Sequence, residues 1–261
     1  MHHLKRAETT EDLSGTWCNS SAVTSSVMES VSFVTPVLEK FFIRTVAEGL
    51  DGQRESELDQ RCRAFIREES LHSRVHGKLN ASLLGYLGRT PPGLALIERL
   101  LDAARKRLSL SSRLLIAAAL EHFTAVLSKV YVEHEAGLDI RSAFVRELFA
   151  QHAREELAHR SVVFDLWLTK RAAGRMARAA TVFAILFIGS IYVSISVPWI
   201  LHRKTGRRLT HTLRALAGFV VSSRSDIASY TPLSELFSFV RRDYHPDELV
   251  EDNLAGITPG H

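Results

Sequence analysis

Apolar residues recur every three or four positions through most of the chain from Thr35 onward, which is the pattern of amphipathic helices. Thr35-Pro36 has the form of a helix N-cap followed by proline in the first turn, so we expect a helix from there to about Gly49. No stretch alternates polar and apolar residues over a useful length, so we expect no sheet. Further helices are predicted at about 56–87 (broken near Gly77 or Asn80), 94–108, 111–134 and 140–172. The chain is therefore predicted to be all-α, with four main antiparallel helices in a bundle.

Charge is distributed unevenly along the 261 residues, although the formal net charge is only +4. Ten Lys or Arg residues and no Asp or Glu lie between Leu166 and Ser225, so the remaining residues together carry −6. Combined with the hydropathy pattern, this predicts four regions. They are a poorly ordered segment rich in Ser and Thr over 1–30, a helical bundle over 31–173, basic C-terminal helices over 174–246, and a polar tail over 247–261.

The basic region contains an apolar segment, Ala179–Leu201, of 23 residues without a charge. About 20 such residues suffice to cross a bilayer, so one interpretation is a membrane span or a helix lying in the membrane interface. The other is a buried helix that covers the bundle or forms a homodimer interface. The basic residues bracket this apolar run instead of alternating with aromatic residues, so we expect no nucleic-acid partner.

The N-terminus carries no signal-peptide pattern, because no apolar run of sufficient length follows the basic Met1–Arg6. Two cysteines, Cys18 and Cys62, are too few for a disulfide framework and fit free thiols in a reducing compartment. We expect a cytoplasmic protein, in association with the inner membrane if the segment 179–201 binds lipid.

Acidic and imidazole side chains recur in the order Glu, Glu-x-x-His, Glu, Glu-x-x-His along the predicted helices. They are Glu39, Glu69 and His72, Glu121, and Glu156 and His159. Residues three apart share one helix face, so each Glu-x-x-His pair can offer a carboxylate and an imidazole to the same ion. This is the ligand pattern of a carboxylate-bridged two-metal site in a ferritin-like four-helix bundle. Four carboxylates offset two divalent ions, and this donor set suits iron or manganese, with zinc as an alternative.

Further residues lie on or beside the same faces. His152 and His76 are candidate additional ligands, His152 because it lies four residues before Glu156 and seven before His159. Glu68 and Glu155 point off the ligand face, so they are expected to be exposed or to bond a ligand from outside. Asp165 could orient a ligand imidazole, or simply bond an arginine or the backbone. The competing interpretation of the whole set is a group of exposed helix charges in i,i+4 pairs.

Several motifs resemble one bacterial family, the predicted metal-dependent hydrolases. They are Leu38-Glu39-Lys40-Phe41-Phe42, Phe65 to His76, Leu120 to Ala125, His152 to Asp165, and Phe239 to Pro246. The resemblance covers roughly 30–246. Gln151, Glu68 and Ala158 depart from the residues expected there, but none of them is a proposed ligand. The spacing of His152, Glu156 and His159 is also similar to that of p-aminobenzoate N-oxygenase type di-iron enzymes.

Three functions remain open at this point. From ligand type we favour a di-iron oxidoreductase that activates dioxygen to oxidise a small organic substrate, apolar or amphiphilic if Phe41, Phe42, Phe65 and Phe123 line its site. The alternative is hydrolysis by a metal-bound water. The third is a non-catalytic metal-binding or membrane-associated interaction protein.

Overall fold

A computed structural model of the chain describes residues 13, 15–50, 56–170, 174–206, 210, 214 and 233–250. Its helices are α1 (Ala22–Gly49), α2 (Glu57–Leu87), α3 (Leu94–Arg107), α4 (Leu110–His134), α5 (Ala143–His159), α6 (Val162–Thr169), α7 (Arg175–Thr205) and α8 (Leu233–Ser238). Short 3₁₀ turns lie at Glu135–Gly137 and Pro246–Val250. No strand forms within these residues, so the predicted all-α fold is confirmed for them.

Four long helices surround the candidate ligands. α1 packs along α2 and α4 packs along α5, and the two pairs meet where α1 contacts α4 and α2 contacts α5. The apolar core between α1, α4 and α6 includes Phe42, Leu114 and Trp167, all essentially inaccessible to solvent. This arrangement brings the inner faces of all four helices together. That they form a ferritin-like bundle in particular, and that the chain divides at the predicted boundaries, remain predictions.

The first helix starts earlier than expected. α1 begins at Ala22, where the side chain of Ser21 caps it by accepting a hydrogen bond from the Thr24 amide, and Pro36 lies inside it. Proline cannot donate to the carbonyl four residues before it, here that of Ser32. The side-chain amide of Asn80 donates to this carbonyl instead (2.9 Å), so the helix continues through the proline. The helix start predicted at Thr35-Pro36 is therefore wrong, because Pro36 lies inside α1.

The expectation of a poorly ordered segment over 1–30 is wrong for residues 15–30. Residues 22–30 are helical, and the preceding strip of chain packs against the connection between α4 and α5. Trp17 and Cys18 are buried there, and the Arg141 amide donates to the Trp17 carbonyl (3.0 Å). Residues 1–12 and 14 lie outside the described residues, as do most of the predicted basic helix after 206 and the tail from 251 onward.

Two predicted helix boundaries also change. α2 runs unbroken through Gly77. A glycine inside a helix lowers the stability of the helix but does not have to end it. No neighbouring atom lies within 4 Å of the position that a side chain would take there. The predicted helix over 140–172 is two helices, because regular hydrogen bonding stops at Arg160 and Ser161. The break allows α6 to bury Val163 and Trp167 against the core. The gap between the predicted helices 56–87 and 94–108 is a loop, and the glycines at its two ends, Gly88 and Gly93, have positive φ.

α7 contains the apolar segment 179–201 and packs against α1, α4 and α2. It and the region Leu110–Gly137 are long and apolar enough to cross a membrane by length and composition. Their most apolar windows differ in environment, because 56% of the window in the α4 region is buried but only 22% of that in α7. α4 is therefore a core helix of the bundle, whereas α7 covers the bundle with one face only.

A buried ion pair attaches the end of α7 to α1. The Lys204 ammonium lies 2.5 Å from the Glu29 carboxylate, which also accepts a hydrogen bond from the Trp17 indole (2.6 Å). We expect Lys204→Met to lower the free energy of unfolding by about 3 kcal/mol, because it leaves a buried carboxylate without its cation. Urea denaturation followed by circular dichroism measures this. Lys40→Met removes the exposed pair with Glu98 and is the control, with an expected loss below about 1 kcal/mol.

Candidate metal centre

The four long helices direct the predicted ligands into one buried cluster. α1 contributes Glu39, α4 contributes Glu121, and each Glu-x-x-His pair comes from one of the other two helices, Glu69 and His72 from α2 and Glu156 and His159 from α5. All six side chains are buried, with at most 6% of any residue exposed. The alternative interpretation as exposed helix charges is therefore wrong for these residues.

Three carboxylate oxygens converge on the Nδ1 atom of His72. This atom lies 3.5 Å from Glu69 Oε1, 3.8 Å from Glu156 Oε1 and 3.9 Å from Glu39 Oε1. Two ligands of one ion at bond lengths of about 2.1 Å are about 3.0–3.4 Å apart in octahedral or tetrahedral geometry. The observed spacing is slightly wider than that, so small side-chain movements would place these donors around a cation.

Three overlapping groups of side chains have donor atoms within 4.8 Å of one another. They are Glu39 with His72 and His152, Glu69 with His72 and Glu156, and Glu69 with Glu121 and His159. Two of the groups share His72 and two share Glu69. A set of seven residues that shares members in this way could hold two neighbouring ions, and the predicted additional ligand His152 belongs to it.

Many polar atoms of this cluster have no hydrogen-bond partner within the described residues. Both carboxylate oxygens of Glu39, Glu69 and Glu121 are buried without a hydrogen-bond partner, as are the Nδ1 atoms of His72 and His159. The Nδ1 atom of His152 is unpartnered as well. Buried polar groups are almost always hydrogen-bonded, because leaving them unpaired costs about 1–3 kcal/mol each. Carboxylate oxygens and imidazole nitrogens without hydrogen-bond partners, concentrated in one place, fit a site that binds cations.

Electrostatics lead to the same conclusion. Burial, together with repulsion from neighbouring carboxylates, raises the pKa of Glu39 and of Glu121 well above its ordinary value. Burial lowers the pKa of His72, but the carboxylates of Glu155 and Glu69 outweigh this effect and raise that pKa to about 11. The cluster thus carries too much negative potential for the bundle interior. It must be neutralised by protons or by metal cations.

Two partly exposed carboxylates hold the outer edges of the ligand imidazoles. The Nε2 atom of His72 lies 2.5 Å from Glu155 Oε2, and the Nε2 atom of His159 hydrogen-bonds Glu68. The side-chain amide of Gln151 donates to the other Glu155 oxygen (2.9 Å). An imidazole that ligates through Nδ1 must donate its Nε2 proton to an acceptor, and carboxylates commonly serve. Glu68 and Glu155 therefore orient the two rings so that Nδ1 points into the cluster.

His76 is buried beside the cluster but belongs to none of the three groups. Its ring lies 4.9 Å from that of His152, centroid to centroid. The Ser32 hydroxyl donates to the Asn80 side-chain oxygen (2.8 Å), so it accepts from the Nδ1 atom of His76 (2.9 Å). The Nε2 atom of His76 then carries a lone pair and has no partner among the described residues. Ligation by His76 stays a prediction.

Sequence reasoning missed Thr124, whose hydroxyl donates to Glu156 Oε2 (2.7 Å) and orients that carboxylate. The only signal was its position three residues after Glu121. Asp165 does not reach the ligand imidazoles but bonds Arg61 (2.9 Å) and the ring of His245 (3.0 Å). Of the roles left open for Asp165, the structure supports the bond to an arginine.

The cluster approaches solvent between α2 and α5. Glu68 has 46% of its side chain exposed, Glu155 has 27% and His152 has 13%, whereas the side chains on the α1 and α4 sides are buried. α2 and α5 also contact each other far less than α1 contacts α2. The side of the cluster between α2 and α5 is therefore the one nearest to solvent.

A comparison with protein families decides the class. Residues 4–249 match the family described as predicted metal-dependent hydrolase. The chain belongs to this family. The predicted resemblance is thereby confirmed, and the match extends beyond the range of 30–246 that the motifs covered. No curated protein and no solved structure is significantly similar to the chain.

Membership in the metal-dependent hydrolase family corrects the expected chemistry. The preference for a dioxygen-activating oxidoreductase over a hydrolase is wrong, because the family is described as predicted metal-dependent hydrolase. That preference rested on ligand type. Carboxylates and imidazoles bind iron, manganese and zinc alike, so the donor set does not distinguish a redox metal from a hydrolytic one. The similarity in spacing to di-iron oxygenases therefore concerns the ligand geometry and not the reaction.

We expect Glu121→Ala and His159→Ala to reduce metal content from two ions per chain to well below that, because each removes a donor from the third group. Helicity should be preserved. Metal analysis of the purified variants by mass spectrometry, with circular dichroism in parallel, measures both. Glu133→Ala, which removes an exposed carboxylate from α4, is the matched control and should retain full metal content. Two ions per chain in both site variants would contradict the ligand assignment.

Two variants distinguish whether Glu155 acts by orienting the ring of His72 or through its negative charge. Glu155→Leu removes the acceptor of the His72 Nε2 proton, so we expect metal affinity to fall about 10–100-fold. Glu155→Gln keeps a carbonyl oxygen as acceptor and should lose much less. Competition with a metal-binding dye measures both affinities. Equal losses in the two variants would indicate that Glu155 acts through its charge and does not orient the ring.

Proposed function

We propose that the protein is a hydrolase that uses two divalent metal ions held by the buried Glu and His cluster between α1, α2, α4 and α5. The observation that carries this proposal is the convergence of carboxylate and imidazole atoms, most of them unpartnered, into three overlapping groups, of which two share His72 and two share Glu69. Membership in the family described as predicted metal-dependent hydrolase supports hydrolysis as the reaction class. In the proposed site, Glu69 and Glu156 lie centrally, and Glu39 and Glu121 lie at opposite ends.

When bound, two divalent ions lower the pKa of a water molecule and polarise a carbonyl or phosphoryl oxygen. The protein contributes rigid placement, because every proposed ligand sits on a helix and not on a loop. The Thr124 hydroxyl holds Glu156, and Glu68 and Glu155 hold the rings of His159 and His72. These contacts keep the donors in place before the metal arrives, which reduces the reorganisation needed for binding.

The surroundings of the cluster support a small substrate with an apolar part. Phe65 lies edge-on to the ring of His159, with centroids 5.4 Å apart, and Phe42 packs against Phe65. Phe41 is buried in the same core. Phe123 is only partly buried and packs at the edge of that core. This wall excludes bulk water from one side of the site, while Glu68 and Glu155 are partly exposed on the side between α2 and α5.

Metal-dependent hydrolysis that does not consume oxygen is the expected activity. The test is the hydrolysis of chromogenic carboxylic and phosphoric esters by protein loaded anaerobically with Fe(II), Mn(II) or Zn(II). Activity should vanish on chelation, return when the metal is restored, and be equal under argon and in air. Glu121→Ala should abolish it and Glu133→Ala should not. A requirement for dioxygen, or activity that survives chelation, would contradict the proposal. Metal analysis of protein from cells supplied with all three metals identifies the ion used.

A further inference from the structure

One face of α7 is apolar and open to solvent. Phe187 is 67% exposed and Phe183 60%, and the face continues through neighbouring turns of the helix. This outer face of α7 is formed by Met176, Phe183, Phe187, Ile191 and Ile195, at spacings of seven and then four residues. Such spacings keep side chains on one side of a helix. A row of large exposed apolar residues on a folded protein marks an interaction surface.

The opposite face of α7 is packed into the protein with specific polar contacts. The Tyr192 hydroxyl donates to the Ser30 carbonyl of α1 (3.0 Å), and Ser196 shares a hydrogen bond with the Ser30 hydroxyl (2.6 Å). Arg178 is buried among aromatic rings and donates to the Phe239 carbonyl (2.6 Å). α7 therefore cannot cross a bilayer alone. A span would pull α1 and its charged neighbours into hydrocarbon, which is strongly unfavourable.

The charges on α7 itself are of one sign. The helix contains no acidic residue, Arg175 is exposed at its start and Arg203 at its end, and Arg207 and Arg208 follow in the sequence. If two copies paired through α7, the basic ends of one helix would lie beside the basic ends of the other, whether the two helices ran parallel or antiparallel. The two copies would therefore repel each other at both ends of the helix. Anionic lipid headgroups complement this pattern at both ends of the helix simultaneously.

We propose that α7 binds the protein peripherally to an anionic lipid surface, with the helix axis in the plane of the membrane and its outer face inserted at the boundary between headgroups and acyl chains. A helix of 31 residues is about 46 Å long. Its apolar side chains reach the depth of about 5–10 Å that interfacial helices occupy. The bundle and its metal centre remain on the aqueous side. This binding is independent of the hydrolytic activity.

Flotation of the full-length chain with vesicles tests the proposal. The vesicles are phosphatidylcholine alone, or phosphatidylcholine mixed with phosphatidylglycerol. The chain should float with the mixed vesicles, less so at high salt, and an alkaline carbonate wash should release it. The double variant Phe183→Ser/Phe187→Ser should reduce the bound fraction at least about tenfold, because it removes the two largest inserted side chains. Arg175→Glu should weaken binding to the mixed vesicles only.

The matched control is Leu96→Ser/Leu100→Ser, which removes two exposed apolar residues from α3 and should bind as the parent does. Circular dichroism and the oligomeric state by light scattering accompany each variant. Three results would overturn the proposal. They are a parent chain that stays off both kinds of vesicle, a solution dimer that the α7 variant dissociates without any vesicle binding, and a bound fraction that resists carbonate and so indicates a span.

Discussion

The interior of the protein is organised around the cost of burying four carboxylates together. Glu39, Glu69, Glu121 and Glu156 come from four different helices and meet where water is excluded. Like charges at these distances in a medium of low polarity repel strongly, so the bundle is stable only if cations or protons share the space. The four main helices are therefore held together by apolar packing on both sides of a centre that needs a counter-charge.

The second layer of polar contacts explains how such a centre stays ordered. Two imidazoles that point Nδ1 inward have their Nε2 atoms on carboxylates at the surface, His72 on Glu155 and His159 on Glu68. These outer carboxylates are partly solvated, so they keep their charge at lower cost than the inner four do. Of the four adjacent pairs among α1, α2, α4 and α5, α2 and α5 contact each other least. The partly solvated carboxylates thus lie on the side of the bundle between α2 and α5, and the buried ones toward α1 and α4.

Most of the candidate site could be predicted from the sequence because helical periodicity is local. The spacing of Glu69 and His72, or of Glu156 and His159, determines that the two side chains share a face, whatever the neighbouring helices do. The start of α1 could not be predicted, because a hydrogen bond from Asn80, some fifty residues away, allows the helix to pass through Pro36. The break before α6 and the role of Thr124 likewise depend on partners distant in sequence.

The sequence by itself determined the helical class, the family and the order of the candidate metal-binding side chains, since these depend on composition and on short-range spacing. Only the tertiary structure decided which atoms converge. It placed His152 with Glu39 and left His76 outside the three groups. It showed that Glu68 and Glu155 accept hydrogen bonds from the rings of His159 and His72. It also showed that the apolar helix α7 buries one face and exposes the other. Which face of α7 is buried depends on what packs against the helix, and the hydropathy of the sequence does not reveal this.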